Sequence, residues 1–93
     1  MINQLDKNGK RQGYWKYYFS SGELHSEGNY IDGLANGLWQ EYHKSGYLWE
    51  RSNHKHGKYH GMREIYYPEG NLYSKGEFKN NKHIGLWHEE RYN

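Results

Sequence analysis

The chain contains no cysteine, which excludes disulfides and thiolate metal sites. It has one proline, two phenylalanines and two methionines, and a mean hydropathy of −1.39. No apolar run approaches the ~18 residues that a membrane-spanning helix needs. The stretch Met1-Ile2-Asn3-Gln4-Leu5-Asp6-Lys7 lacks the apolar centre of an export signal, so we expect a cytoplasmic protein without a membrane span. There is no block of one charge either: 13 Lys and Arg against 11 Asp and Glu leave a net charge of +2, with the signs interspersed. Long nucleic acids reward clustered basic charge and are poor candidates as partners. Catalytic and cofactor motifs are missing as well. No G-x-S-x-G or phosphate loop occurs, and the one adjacent carboxylate pair, Glu89-Glu90, lies near the carboxyl end. We expect neither an enzyme nor a cofactor.

What the chain has is rings. Aromatic residues make up 18% of it, with 11 Tyr and 4 Trp, and such amphipathic side chains bury far more area than hydropathy scales credit. The rings recur at a fixed step. Gly13, Gly37, Gly61 and Gly85 follow one another every 24 residues. So do Trp15, Trp39, Arg63 and Trp87; Tyr18, Tyr42 and Tyr66; Gly22, Gly46 and Gly70; and Leu24, Leu48 and Leu72. An uninterrupted period of this length marks a repeat architecture, in which each unit buries its apolar side only against its neighbours. The consensus is G-x-W-x-x-Y-x-x-x-G-x-L-x-x-x-G-x-Y-x-x-G.

This pattern resembles the variant form of the MORN repeat, and the resemblance runs over residues 8–93. It rests on Trp, Tyr, Leu and three Gly columns recurring together. The departures are Arg63 for Trp, Ser52 for Gly28 and Gly76, His54 for Tyr30 and Phe78, and a last unit that stops half-way at Asn93. The resemblance implies a non-catalytic repeat module with an antitoxin-like or scaffold role. The kinase or methyltransferase domains that accompany MORN arrays in larger proteins have no counterpart here. We expect one domain over 1–93, with units at about 8–31, 32–55, 56–79 and 80–93.

Strand-forming residues dominate between the glycines, and no segment carries an uninterrupted helical apolar stripe. The fold class is therefore all-β: an open, twisted antiparallel meander of about 3.5 hairpin repeats and seven strands, near 10–19, 23–31, 34–43, 47–55, 58–67, 71–79 and 82–92. Ser20-Ser21-Gly22, Lys44-Ser45-Gly46 and Pro68-Glu69-Gly70 read as three-residue hairpin loops; Asp32-Gly33, His56-Gly57 and Asn80-Asn81 read as two-residue type I′ loops. A plain two-residue loop places Gly28 opposite Gly37, Ser26 opposite Trp39 and Glu50 opposite Arg63. The one unit that exchanges Trp for Arg also exchanges Ser for Glu, as an ion pair across strands requires. The two loop types differ in parity, so the faces would swap in every repeat unless each unit held one extra residue, a β-bulge. We expect it between Trp and Tyr, which puts Trp15, Trp39 and Trp87 with Tyr18, Tyr42 and Tyr66, Ser26, Gly28 and Tyr30 on one core face.

The other face then carries the candidate binding residues His25, Tyr47, Trp49, Arg51, Tyr73 and Lys75. Columns that vary while staying aromatic suit a protein-binding surface; the alternative is that they stabilise a single-layer sheet on its second side. A second functional reading is capture of a nucleotide or phosphoinositide headgroup, with Trp49, Tyr73 and His25 stacking a base and Arg51, Lys75 and Lys55 meeting phosphates. A third is self-association, a homodimer joined through the strand at 82–92. His54-x-His56 with His60 offers metal-ligand chemistry, but each His is more simply a polar substitution in its column, so we expect no metal site.

Overall fold

Two kinds of turn alternate along the chain and set the meander. In the computed structural model, which describes residues 2–89 and the side chains as far as residue 84, Asp32, His56 and Asn80 take positive φ of 51–53°, and Gly33, Gly57 and Asn81 follow at 69–80°. Two successive left-handed residues make a type I′ turn, whose twist matches that of the strands it joins. At the other end of the sheet, Gly22, Gly46 and Gly70 (φ 99–103°) close the three-residue loops, each donating its N–H back to Phe19, His43 or Tyr67. The product is one open antiparallel sheet of eight strands in sequence order, with no helix among the described residues: β1 Gln4–Leu5, β2 Arg11–Tyr18, β3 Leu24–Ile31, β4 Leu34–Tyr42, β5 Leu48–Lys55, β6 Lys58–Tyr66, β7 Leu72–Lys79 and β8 Lys82–Glu89. It measures 51 × 33 × 15 Å, a single layer.

Seven strands match the sequence reading in place and order. The eighth, β1, pairs Gln4 with Gln12 and Leu5 with Arg11. Just before it, the Asn3 side-chain amide donates to the Lys16 carbonyl (3.1 Å) and accepts from the Lys16 N–H (2.8 Å), so it stands in for a peptide group along the outer edge of β2. The strand expected at 82–92 is described as far as Glu89; residues 90–92 lie outside the described residues.

The parity argument holds, but the extra residue sits on the partner strand. Tyr17 faces Ser26 while Tyr18 faces Leu24, leaving His25 unpaired; Trp49 and Tyr73 are left over in the same way opposite Glu41/Tyr42 and Ile65/Tyr66. A second irregularity was not foreseen. Gly37-Leu38 lies between the pairs Asn29–Asn36 and Gly28–Trp39, and Gly61-Met62 and Gly85-Leu86 repeat it. Gly37 and Gly61 take φ of 82° and 104° there, a left-handed backbone that a residue with a Cβ resists. Trp39 is therefore opposite Gly28 rather than Ser26, and Ser52 rather than Glu50 is opposite Arg63.

These registers relocate the core. Alternation puts Trp15, Tyr17, Ser26, Gly28, Tyr30, Trp39, Glu41, Glu50, Ser52 and Arg63 on one face. Tyr42 and Tyr66 fall on the other, against the expectation that they join Trp in the core; Tyr18 is 54% exposed. Trp39 lies flat on Gly28, where a Cβ would sit 2.2 Å from the indole Cδ2, and its Nε1 donates to the Asn29 carbonyl at 2.9 Å. No second layer covers this face. Trp39, 9% exposed, is the one large hydrophobic side chain among the described residues that is buried, with Ser26, Ser52 and Ser74 also buried.

Candidate binding surfaces

On the Trp face the rings build a wall by contact along the sheet: Tyr17 stacks on Trp39 (6.5 Å), Tyr30 meets Trp39 edge-on (5.0 Å), and His54 lies against Tyr59 (4.9 Å). The Tyr17 and Tyr30 hydroxyls bond each other at 2.9 Å, and burial, ahead of that bond, pushes Tyr30 up to about 12. Between the rings is a depression of about 550 Å³, floored by Ser26, Ser52, Glu41 and Glu50. This volume falls within the range of small-ligand sites, roughly 300–1,000 Å³.

The departures from the repeat converge here. Arg63, which replaces a Trp, reaches diagonally to Glu50 with two nitrogens, at 3.1 and 3.2 Å, and lies 5.1 Å from the Tyr59 ring centre. Tyr59 donates a third hydrogen bond to Glu50, which is only 5% exposed. The Glu50–Arg63 contact expected from the paired substitution is thus present, although their registers differ by two residues. Ser52 bonds His54 Nε2 at 2.9 Å, and burial holds His54 below its ordinary 6.5 against the pull of Glu50. Glu41 faces Glu50 across β4 and β5, and burial first, then Glu50, raises its carboxyl above 4.5. Sequence reasoning passed over Glu41; the signal available was that its column reads Tyr17, Glu41, Ile65, a buried position turned acidic once.

The six candidate residues from the sequence do not share one face. His25, Trp49 and Tyr73 are the bulge residues, and His25 lines the depression beside Trp39 instead of facing away from it. At the three-residue-loop end of the sheet two of them pair with a ring across the loop, His25 with Phe19 (4.7 Å) and Tyr73 with Tyr67 (5.2 Å); in the middle unit Tyr47 rather than Trp49 stacks on His43, at 4.6 Å. Two strands separate successive units, so the pairs recur about every 9.6 Å. Trp49 is 45% exposed and borders a groove with Phe19, His25, Glu41, Tyr42, His43 and Lys44. Arg51 and Lys75 lie elsewhere, on the face opposite Trp39. There Lys16, Glu27, Gln40, Arg51, Glu64 and Lys75 oppose one another in turn across successive strands. Opposite charges alternate along this ladder, and the tyrosines lock it. Tyr14 and Tyr42 each donate to Glu27 at 2.6 Å; those two bonds hold Glu27 below 4.5, while burial, aided by Glu27, pushes both tyrosines up to about 12.

His54 turns into the depression while His56 sits exposed in its turn, so the two do not meet. Among the described residues no three His, Asp or Glu side chains converge on a point that could hold a metal ion. No described helix is long and apolar enough to cross a membrane.

Residues 11–32 and 59–80 match the family model of the MORN repeat variant. The two matched stretches correspond to units whose Trp or Arg strand, bulge and I′ turn superpose on the 24-residue period. MORN repeats are commonly protein- or membrane-binding modules. The stretch between the matches, 33–58, carries Glu41, Glu50, Ser52 and His54; the remaining departure, Arg63, lies within the second match. No curated protein matches the chain.

Proposed function

We propose that the chain is a non-enzymatic binding module that takes a protein partner on the ring pairs at the three-residue-loop end of the sheet. The observation that carries this reading is the bulge. In each unit it frees one residue from cross-strand pairing, and that residue is His25, Trp49 or Tyr73, variable but always a ring. Exposed Trp and Tyr on a rigid scaffold lose little entropy when covered, which makes them effective anchors. An antitoxin-like or scaffold role is the form of binding that the MORN resemblance suggests. Capture of a nucleotide or headgroup has less support, because Arg51 and Lys75 lie on the face opposite Trp39, each across from Glu64, and His25 lines the depression on the Trp39 face.

Affinity purification of the tagged protein from the cells that make it, alongside the Trp49→Ser/Tyr73→Ser variant, tests the assignment. We expect a stoichiometric protein with the wild type and its loss from the variant at unchanged melting temperature. Equal recovery by both would place the contact elsewhere.

A further inference from the structure

The middle of the Trp face differs from the rest of the array in charge as well as shape. Where other units have Tyr17 and Ile65, Ser26 and Ser74, Tyr30 and Phe78, it has Glu41, Glu50 and His54. One of the two carboxylates is satisfied: Glu50 takes the Arg63 guanidinium and the Tyr59 hydroxyl. Glu41 has no hydrogen bond or ion pair to any described residue, and feels His25 and Arg63 only at a distance. The cluster of Glu41, Glu50 and Arg63 is therefore one cation short.

The same face shows how the chain itself accommodates cations. Arg11 lies 5.4 Å from the Trp15 ring centre and 5.6 Å from that of Tyr30, and Arg63 lies over Tyr59. Ring faces attract cations through their quadrupole, most strongly where water is displaced. Trp39, between these two sites and beside Glu41 in the wall of the depression, has no cation over it among the described residues. We propose that the depression bounded by Tyr17, Tyr30, Trp39 and Tyr59 binds an alkylammonium group, with the rings contacting its methylene or methyl carbons and Glu41 as its counter-ion. An anion is disfavoured by the net negative cluster. A bare divalent ion is disfavoured because Glu50 is already committed to Arg63. An ammonium carrying apolar carbons suits a wall of rings with a single free carboxylate. The ammonium belongs either to a free amine or to a lysine side chain.

The test follows the Trp39 indole N–H by nuclear magnetic resonance in the full chain, assigned with Trp39→Phe. Tetramethylammonium chloride and the capped peptide acetyl-Gly-Gly-Lys-Gly-Gly-amide, whose one ammonium is the lysine's, are titrated separately against matched sodium chloride. We expect saturable displacement of this signal, with affinity weakened roughly tenfold or more in Glu41→Gln, as loss of one member of a desolvated charge pair would give. Folding of that variant is expected because Tyr17 and Ile65 occupy the equivalent position uncharged, and Glu41→Ile, copied from the third unit, serves as the second variant. Saturation by tetramethylammonium identifies a site open to a free small ammonium ion, and saturation by the peptide alone identifies a lysine site; either supports the proposal. The proposal fails if neither probe gives a saturable shift up to ~50 mM, far above a millimolar dissociation constant. It also fails if the Glu41 variants bind as well as the wild type. Tyr73→Ser, at the ring pair that borders neither the depression nor Glu41, should leave these titrations unchanged, so the outcome is separable from that of the protein-binding surface.

Discussion

Gly28 and Trp39 show how tightly one residue's identity is tied to another's in a single-layer sheet. The indole fills the place of a Gly28 side chain, so Gly28→Ala forces a 2.2 Å clash with a ring whose Nε1 is also tethered. Overpacking of this kind costs about 1–3 kcal/mol, and we expect the upper end, read from denaturant midpoints. Ser52 holds the same column opposite Arg63, where the long side chain swings to Glu50 and leaves room for a Cβ. Ser52→Gly should accordingly cost less than Gly28→Ala. The carboxylates supply a second contrast. Glu41 is raised on folding, so it favours the fold below its unfolded value near 4.5 and gives that contribution up as pH rises through its folded value. Glu27, lowered by Tyr14 and then Tyr42, works in the opposite sense: its contribution is present above 4.5 and lost as pH falls through its folded value. Glu41→Gln should therefore be more stable than the wild type at neutral pH, with the gain shrinking on acidification. Glu27→Gln should be less stable at neutral pH, with the deficit closing in acid. Chemical denaturation from pH ~3 to ~7 reads both.

At the scale of the strand, the bulge decides which residues share a face. Deleting Trp49 would remove only the odd residue: Leu48 still meets Tyr42 and Glu50 still meets Glu41, so Arg51 and Ser52 keep their places opposite Gln40 and Trp39. Deleting the paired residue Arg51 instead would shift Ser52 to Gln40 and turn the rest of the strand over. We expect the Trp49 deletion to melt cooperatively and the Arg51 deletion not to; circular dichroism separates the two. This device was half legible. The two loop types, read from Gly22 and Asp32-Gly33, require one extra residue per unit. They do not say which strand holds it, and the irregular spacing of Trp39 and Tyr42 pointed to the wrong one. The Gly37-Leu38 insertion escaped because two extra residues leave parity unchanged. A glycine recurring at 13, 37 and 61 inside strands was its signal, and the positive φ there is the physical reason.

For the whole molecule, the fold could be read from the 24-residue period, since a meander repeats one pairing rule and leaves little else to choose. The site could not. His25 and Trp49 stood out by varying in type, and His25 does line the depression, yet its polar part is Glu41, Glu50 and His54 with Tyr59, up to 18 positions apart in sequence (59 − 41) and brought together by registers shifted two residues from the simple hairpin. The pairing rule also has a mechanical consequence. Each strand is paired in a ladder only with those next to it in the chain, so the ladders stand in series between the first strand and the last, while ring contacts such as Tyr17 on Trp39 reach one strand further. A load applied across the sheet meets no parallel ladder: it peels the outermost ladder first and leaves the others whole. Each unit that yields releases 24 residues, about 80 Å of extended chain at 3.3–3.6 Å per residue, in exchange for two strand widths of sheet. Extension should come in equal steps, with the Glu50–Arg63 ladder marking the step that departs from the others.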